Sequence, residues 1–461
     1  MFRRVLIAAF AAASVAVPAA SAEIRGQTLM PGVVYARQVE LTPHGPVVFH
    51  VVSAPRPTGL YSLHAALSQG LVPGRARLTD MEKEVSTTST VVGINGDRFN
   101  SRWGTPASIV VRGGVIAADT NGRSAAGFDA GGGLHVDRVS LAATWKGMDQ
   151  YRAMGMNEPP GKSGTTLYTP AWGAKTPAET GTTEVVLAPF PPALPDRVLS
   201  APVVQVAQDG GQPIPIDGAV IVARGSEAKT LTAQAPVGGT VSVRLVLTPT
   251  WSDIVEAVGG GPALVRDGHP IFRSNEPFSA AQLFTRTARS GVAQTSDGHI
   301  LLAAVDGGRR GYSTGMTNFE FALALARLGA VNACALGTGT TTTLAFDGKL
   351  LNRPSGRGGE TPIADALLLG YDGVYVPALP VSVEAGKSVT LAYKLVRSST
   401  VTATLTGPDG STVKIDAAAH APGTYSFDWT ATTPGRWTFD VNAVDDLHRS
   451  TSAERTITVS T

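Results

Sequence analysis

Apolar residues recur in short runs along this chain, alternating with polar ones or closed by them, a period that suits strands rather than long helices. The segments 47–53 (VVFHVVS) and 91–95 (VVGIN) predict core strands, with a short helix expected between them over 60–70. Residues 108–118 (SIVVRGGVIAA) predict a hairpin turning at Arg112-Gly113-Gly114, and 133–140 continues the strand series. After Leu187 the stretch APFPPALPD excludes a helix interior or a central strand, so it is a connection inside a large domain or a weak boundary within it. Strand patterns resume at 199–207, at 218–223 and from 241 (VSVRLVLTP). A short helix near 253–258, the Gly259-Gly260-Gly261-Pro262 turn, a hairpin limb in ALVRDG and a buried strand from 300 (ILLAAVDGG) follow. The clearest helix has Thr317 as its cap, Glu320 at the third position, Phe319, Ala322, Leu323 and Ala326 as its face, and Gly329 as its stop.

Pro377 and Pro380 mark a second boundary. Beyond it, SVTLAYKLV, STVTATLTGPDGSTVKI, GTYSFDWTA, GRWTFDVNAVD and AERTITVS alternate with period two between Gly, Pro and Asp turns, the pattern of a small β-sandwich. Trp429 and Trp437 fall within these strand patterns and are expected to pack the sandwich rather than to stack on sugar. The predicted fold class is α+β: a large mixed-sheet domain over 23–378, then an all-β sandwich over 379–461.

Composition adds four points. With 52 Gly and 31 Pro in 461 residues, turns are abundant, and the glycines have no three-residue period, which excludes collagen. Residues 1–22 combine Arg3 and Arg4, a small-and-apolar stretch and an Ala20-Ser21-Ala22 cleavage pattern, so a secretory signal and a secreted or envelope-associated destination are expected; no later segment is long and apolar enough to span a membrane. Losing Arg3 and Arg4 with that leader brings the 38 basic residues level with the 36 acidic ones, and a formal charge of zero gives no support for a nucleic-acid partner. Cys334 is the only cysteine, which excludes an intrachain disulfide; its Asn-Ala-Cys-Ala-Leu setting reads as a buried strand rather than a nucleophile.

No HExxH, CxxC, GxSxG or GxxxxGK[ST] occurs, which disfavours a zinc protease, an α/β-hydrolase or a P-loop enzyme. The polar groups that stand out lie at strand ends: Asn95 to Asn100 (NGDRFN), Arg289, Asp306-Gly307, and Asn352 with Arg353. A glycine beside an acid or amide lets the chain turn sharply while the side chain faces a cleft. Asp97 reads equally as a turn acid or a site group; Asp306 ends a strongly apolar strand, where a charge calls for a partner or a function. Glu320 already has a structural task as a capping-box acid. Oxygen-rich turns with Asp97, Asn100 and Asp306 offer hard ligands suited to calcium, although no EF-hand spacing is present and a water-filled polar cleft explains them equally well. No metal ligand set is assigned.

The segments NGDRFN, IVVRGGVI, LYTPAWG, GGGPALVRDG, ARSGVAQTSDG and AAVDGGRRGYSTGMTNFEFALALARLGAVNACAL together resemble the phosphodiester glycosidase family, over roughly 30–375 and most specifically over 288–370. The family includes an enzyme that removes N-acetylglucosamine from a phosphodiester, and its bacterial members carry Ig-like sandwiches like the one expected at 379–461. The resemblance implies that Asn95, Gly96 and Asp97 form the family's NG-acid turn and that Arg289 is its arginine. It also implies that Asp306 and Gly307 are its Asp-Gly, that Ser313, Gly315, Met316, Thr317 and Glu320 match its S-x-G-M-T-x-x-E, and that Asn352, Arg353, Pro354 and Ser355 form its N-R-P-S loop. On this basis Asp97, Asp306 and Glu320 are candidate catalytic acids, Arg289 an anion clamp, and Asn95, Ser313, Asn352 and Arg353 substrate-binding groups. The chain departs from the family where LDGGGSTT becomes LGTGTTTT, placing Gly337 at the acid and Thr338 beside it, where DGR becomes Asp-Gly-Gly308, and where ERP becomes Glu-Thr361-Pro.

The implied function is an exported phosphodiester glycosidase, or a related glycosidase, acting on extracellular or cell-wall glycans with an altered site. A non-catalytic glycan-binding protein and a structural envelope protein are the alternatives. If Gly337 is a lost acid, restoring Asp there is expected to raise activity.

Overall fold

The computed structural model describes residues 23–159, 161–272 and 275–461; the leader expected at 1–22 lies outside them. Strands hold 51% of the chain and helices 9%, so the architecture is mainly β with a few short helices set against the sheets.

An eight-stranded antiparallel sheet runs in the order Glu23–Met30, Val33–Thr42, Gly45–Ala54, Ile300–Val305, Arg289–Thr295, Ala330–Thr338, Ala263–Arg266 and His269–Pro270. Its middle joins remote parts of the chain: Gly45–Ala54 pairs with Ile300–Val305 in a register that sets Phe49 opposite Val305. Continuous apolar sequence is what such an interior strand needs, and all six residues of Ile300–Val305 are buried. A five-stranded sheet has Thr90–Asn95 at its centre, flanked by Leu344–Phe346 and Asp365–Tyr371, with Tyr61–Leu67 at its edge. A second five-stranded sheet centres on Ile254–Gly259, between Val110–Arg112 and Ser124–Asp129. The remaining strands between 140 and 248 form another eight-stranded sheet whose core includes the fully buried Trp145.

Two expected helices are strands. At 60–70 the chain forms the strand Tyr61–Leu67 followed by one 3-10 turn, because Leu63, Ala65 and Leu67 alternate inward with period two. At 253–258 the strand Ile254–Gly259 replaces a segment too short to nucleate a helix. The helix Asn318–Arg327 has the full capping box between Thr317 and Glu320, but it buries Phe321, Ala322 and Leu325 rather than the face drawn through Phe319, Leu323 and Ala326. Arg112-Gly113-Gly114 turns the expected hairpin between Val110–Arg112 and Val115–Ala118.

Residues 382–460 build two sheets of their own. Ser382–Glu384, Ser450–Ser460, Gly435–Asp445, Ser399–Thr406 and Thr412–His420 form one, and Ser388–Leu395 with Gly423–Thr430 forms the other. Leu391, Tyr393, Trp437, Phe439 and Ile457 share their core, and Trp429 packs against it from the edge, at 5.0 Å from the Trp437 ring. Val374 and Val376, before the proline pair, also enter this core. The nearly buried Lys394 reaches back to Asp347 at 3.0 Å, and the Arg455 guanidinium donates to the Leu29 carbonyl at 3.2 Å.

Candidate functional site

Strand ends from three sheets converge on Asp97. It follows Thr90–Asn95 directly; Ile254–Gly259 delivers Gly259 against it, and Ala330–Thr338 delivers Gly337 and Thr338. The approach needs bare backbone: a Cβ at Gly259 would stand 2.9 Å from Asp97 Oδ2, and one at Gly261, where φ is +96°, would stand 2.7 Å from Glu276 Oε2. Gly259 thus packs closely on the acid, while Gly260 packs on the Ala335 carbonyl and Gly261 on Glu276 and Phe278.

Asp97 is 2% exposed, and among the described residues its Oδ2 has no hydrogen-bond partner. Burial pushes its pKa up to about 6, against the pull of the Arg98 backbone amide and of the Arg123 and Arg98 charges. Asp365, which heads the strand Asp365–Tyr371, lies beside it: the Asp97 amide donates to Asp365 Oδ2 at 3.4 Å and the Gly96 amide to its carbonyl at 2.8 Å. Burial first, then the Asp97 charge, raises the Asp365 pKa well above the usual carboxylate range, so the pair titrates as a unit and Asp365 is the member that keeps its proton.

Two arginines stand at the same place. Arg98 and Arg123 are half-buried, their guanidinium carbons lie 6.0 and 4.8 Å from the centre of the Phe278 ring, and neither forms an ion pair with a carboxylate among the described residues. Arg98 donates to Thr338 Oγ1 at 3.3 Å; burial and the Arg123 charge lower its pKa. A 340 Å3 cleft borders the same turn, lined by Phe99 and Asn100 and by the half-buried Asp119 and Glu158, both raised chiefly by burial. Sequence assigns Arg98 no role of its own, and Arg123, Asp365, Asp119 and Glu158 were not singled out from it. Arg98 sits inside the NGDRFN motif, and Asp365 heads an apolar run, the same signal that marks Asp306 as closing one.

Asp306 forms a second polar centre, 1% exposed and saturated. His50 Nε2 (2.9 Å) and the Tyr312 hydroxyl (2.9 Å) meet Oδ2, while Asn352 Nδ2 (3.0 Å) and the Arg353 amide (3.0 Å) meet Oδ1. Burial works to raise its pKa, but these donors, His50 foremost, hold it below the ordinary value, so the ionised acid requires the proton on His50 Nε2. Four donors on two oxygens leave no acceptor for substrate or cation. Asp306 is thus a positioning group, which corrects its reading as a candidate catalytic acid, and its oxygens are not open to the calcium considered for these turns. Asn100 Oδ1 likewise accepts from the Arg102 and Trp103 amides, and among the described residues no three His, Cys, Asp or Glu side chains are grouped to hold a metal.

The two centres are connected through residues 342–344. Asn352 Oδ1 accepts from the Leu344 amide at 2.8 Å and its Nδ2 donates to the Thr342 carbonyl, while Asn95 Oδ1 accepts from the Thr343 amide at 3.0 Å. These two amides clamp one loop and are not free to bind substrate. Arg289, 1% exposed, donates to the carbonyls of Met316, Gln282 and Thr285, which engages the guanidinium and corrects its reading as an anion clamp; burial lowers its pKa to about 10. Ser313 Oγ bonds the Asp306 carbonyl and accepts from the Val48 amide. Glu320 closes the capping box and pairs with Arg286, so it has no catalytic freedom either. Arg353 is exposed, with its guanidinium 5.0 Å from the Tyr312 ring.

Two of the four positions that depart from the family pattern, Gly337 and Gly308, are glycine for local reasons. A Cβ at Gly337 would stand 2.8 Å from Asn95 Nδ2 and 2.9 Å from the Gly96 carbonyl, so an acid there displaces the turn that carries Asp97, contrary to the expectation that it simply restores a missing group. Gly308 has φ +68°, which disfavours an arginine in its place. Thr361 is half-buried beside Gly356. Cys334 is buried, and burial raises its thiol pKa strongly, so it carries no thiolate.

Residues 200–369 match the family model described as phosphodiester glycosidase. The match contains Gly259, Asp306, Gly337, Asn352 and Asp365 and leaves Asn95, Asp97, Arg98 and Arg123 outside. No curated protein matches the chain. Among solved structures, a hypothetical protein from Synechocystis is 24% identical with a TM-score of 0.65; the alignment covers 76% of this chain and 64% of that one, so the chain spans just under two thirds of that relative's length. A Burkholderia pseudomallei K96243 protein described as exported is 17% identical with a TM-score of 0.61, over 76% of this chain and 96% of that one. The catalytic domain of zebrafish N-acetylglucosamine-1-phosphodiester alpha-N-acetylglucosaminidase, auto-inhibited by its pro-peptide, aligns at 13% identity and a TM-score of 0.41, over 76% and 87%. At these identities the first two neighbours show a shared fold.

Proposed function

Residues 200–369 carry a phosphodiester glycosidase domain, and from that premise we propose that the protein hydrolyses a sugar phosphodiester, with Asp97 as proton acceptor and Arg98 and Arg123 as the phosphate-binding pair. The observation that carries this reading is the meeting of two arginines that lack carboxylate partners with a buried acid whose Oδ2 is unpaired. Two guanidinium groups present fork-shaped donors suited to phosphate oxygens, and Phe278 holds both side chains toward the turn. Water attacks the anomeric carbon, its proton passes to Asp97, and the carbon–oxygen bond to phosphate breaks with its electron pair on the departing phosphomonoester. That leaving group is already a stable anion, so a base is needed more than an acid. Asp97 is ionised above about pH 6, and Asp365 beside it stays protonated. The cleft along Phe99 and Asn100 gives the glycan its approach. Export is inferred from the N-terminal leader, and the C-terminal two-sheet part is read as an Ig-like module.

The test is the pH dependence of kcat/KM on an aryl or nucleotide-linked sugar phosphodiester. Activity should rise through about pH 6. Asp97→Asn should lower kcat by at least about 100-fold, while Arg98→Ala and Arg123→Ala should each raise KM about tenfold or more. Turnover by Asp97→Asn close to the parent rate would defeat the assignment. A glycan-binding role without turnover is the second reading, favoured by the near-complete burial of Asp97. Saturable binding with no hydrolysis at any pH would select it.

A further inference from the structure

A 560 Å3 cavity lies away from Asp97, between the edge strand Tyr61–Leu67, the end of the helix Leu78–Val85 and the hairpin at Arg112-Gly113. Its floor is apolar, formed by Ala66, Val91 and Leu368, and Gly370 keeps it open, since a Cβ there would run into the hydroxyls of Ser62 and Ser89. Its wall carries Glu256, 91% buried: Oε2 accepts from the Ala65 amide at 2.9 Å, and Oε1 accepts from the Gly113 amide at 3.1 Å and faces His64 Nδ1 at 3.5 Å. Asp372 Oδ1 accepts from Ser89 at 3.2 Å, and Arg112 lies at the rim.

We propose that this cavity binds a neutral, monosaccharide-sized polyol, independently of the reaction at Asp97. The volume falls within the range of small-molecule sites, about 300–1,000 Å3. The charges choose the ligand class. Glu256 and Asp372 share the lining with Arg112 and with His64, whose imidazole the Glu256 contact holds toward its charged form, so neither an anion nor a cation meets walls of a single sign. A ring of hydroxyls, each both donor and acceptor, satisfies both kinds of group: O–H donates to the carboxylates and to Ser89 Oγ, whose own proton is on Asp372, and accepts from His64 Nε2, Arg112 and Ser62. An added peptide strand is the competing occupant of such an edge, but the Ala65 amide that would pair with it is already bound by Glu256. The apolar floor suits the C–H face of a sugar ring.

The experiment titrates the full chain with N-acetylglucosamine, glucose, glucuronate and glucosamine by calorimetry, and soaks crystals with the tightest binder. One neutral sugar should bind saturably, with density over Leu368 and against His64. Asp372→Ala and His64→Ala, both at the cavity wall, should each weaken binding about tenfold, the loss of one hydrogen bond to a charged group. His64→Gln should recover part of the loss, and circular dichroism should confirm that each variant is folded. Saturable binding of neither neutral sugar, tighter binding of glucuronate or glucosamine than of both, affinity unchanged in both alanine variants, or density only beside Phe278 would overturn the proposal. Because the readouts are binding and position, failure here leaves the hydrolysis assay unaffected, and failure of that assay leaves this site standing.

Discussion

Asp306→Ala separates a positioning acid from a catalytic one. The substitution removes one carboxylate that receives His50, Tyr312, Asn352 and the Arg353 amide. Tyr312 is half-exposed and can turn to water, and Asn352 Nδ2 keeps the Thr342 carbonyl. The buried His50 N–H and the Arg353 amide are left without acceptors. Each orphaned donor costs about 1–3 kcal/mol, so the variant should lose about 3–5 kcal/mol, comparable to breaking a buried charge pair from one side. Asp306→Asn keeps an acceptor for Asn352 and Arg353 and turns its amide toward His50, whose tautomer can shift to accept; its loss should be nearer 1 kcal/mol. The pH dependence has a fixed sign. A carboxyl held below its ordinary pKa stabilises the fold above about pH 4 and loses that contribution as pH falls through its lowered value, so the gap between parent and Asp306→Asn should be full at pH 7 and close in acid. Urea unfolding followed by tryptophan fluorescence and circular dichroism at pH 7 and in acid measures all three proteins. A loss under about 1 kcal/mol for Asp306→Ala, or equal losses for Ala and Asn, would refute the account of a saturated carboxylate.

Asp97→Asn should be more stable than the parent by about 1–3 kcal/mol at pH 7 and equal to it near pH 4, because an acid whose pKa is raised to about 6 ionises at the expense of the fold as pH rises through that value; urea midpoints at the two pH values check it. Gly337→Asp should not raise phosphodiester hydrolysis and should cost about 2 kcal/mol or more, since its Cβ meets Asn95 and Gly96; activity and thermal unfolding of the single variant decide between this outcome and a restored acid. Lys394→Met should loosen the C-terminal part from the large domain by removing the Asp347 contact, read as faster proteolysis between 375 and 385 with both parts still folded.

Much of the fold was legible because strand signals are local. The apolar run 300–305, the hairpin at Arg112-Gly113-Gly114 and the Thr317 capping box each follow from a handful of neighbouring residues. The segment 60–70 failed because Leu63, Ala65 and Leu67 admit a period of two that was read as a helix, and only the pairing with Asp365–Tyr371 fixes it. The site was legible as a set of segments but not as a set of roles. Asp97 and Asp306 look alike in sequence, each an acid at a strand end beside glycine, and what divides them is the groups that face them. Remote segments bring His50 to Asp306, Asn95 to Thr343 and Gly259 to Asp97, and sequence carries no record of which oxygens those contacts occupy. Arg289 shows the same limit from the cationic side: a buried guanidinium can clamp an anion or three carbonyls, and here three carbonyls from 282–316 have it. The positions that differ from the family pattern follow the same logic in reverse. Gly337 packs where a side chain would strike Asn95 and the Gly96 carbonyl, so glycine there goes with the close packing of the turn that carries Asp97. The raised pKa of Asp97 belongs to that packing: burial lifts it, and the Arg98 amide with the Arg123 and Arg98 charges pulls against the rise.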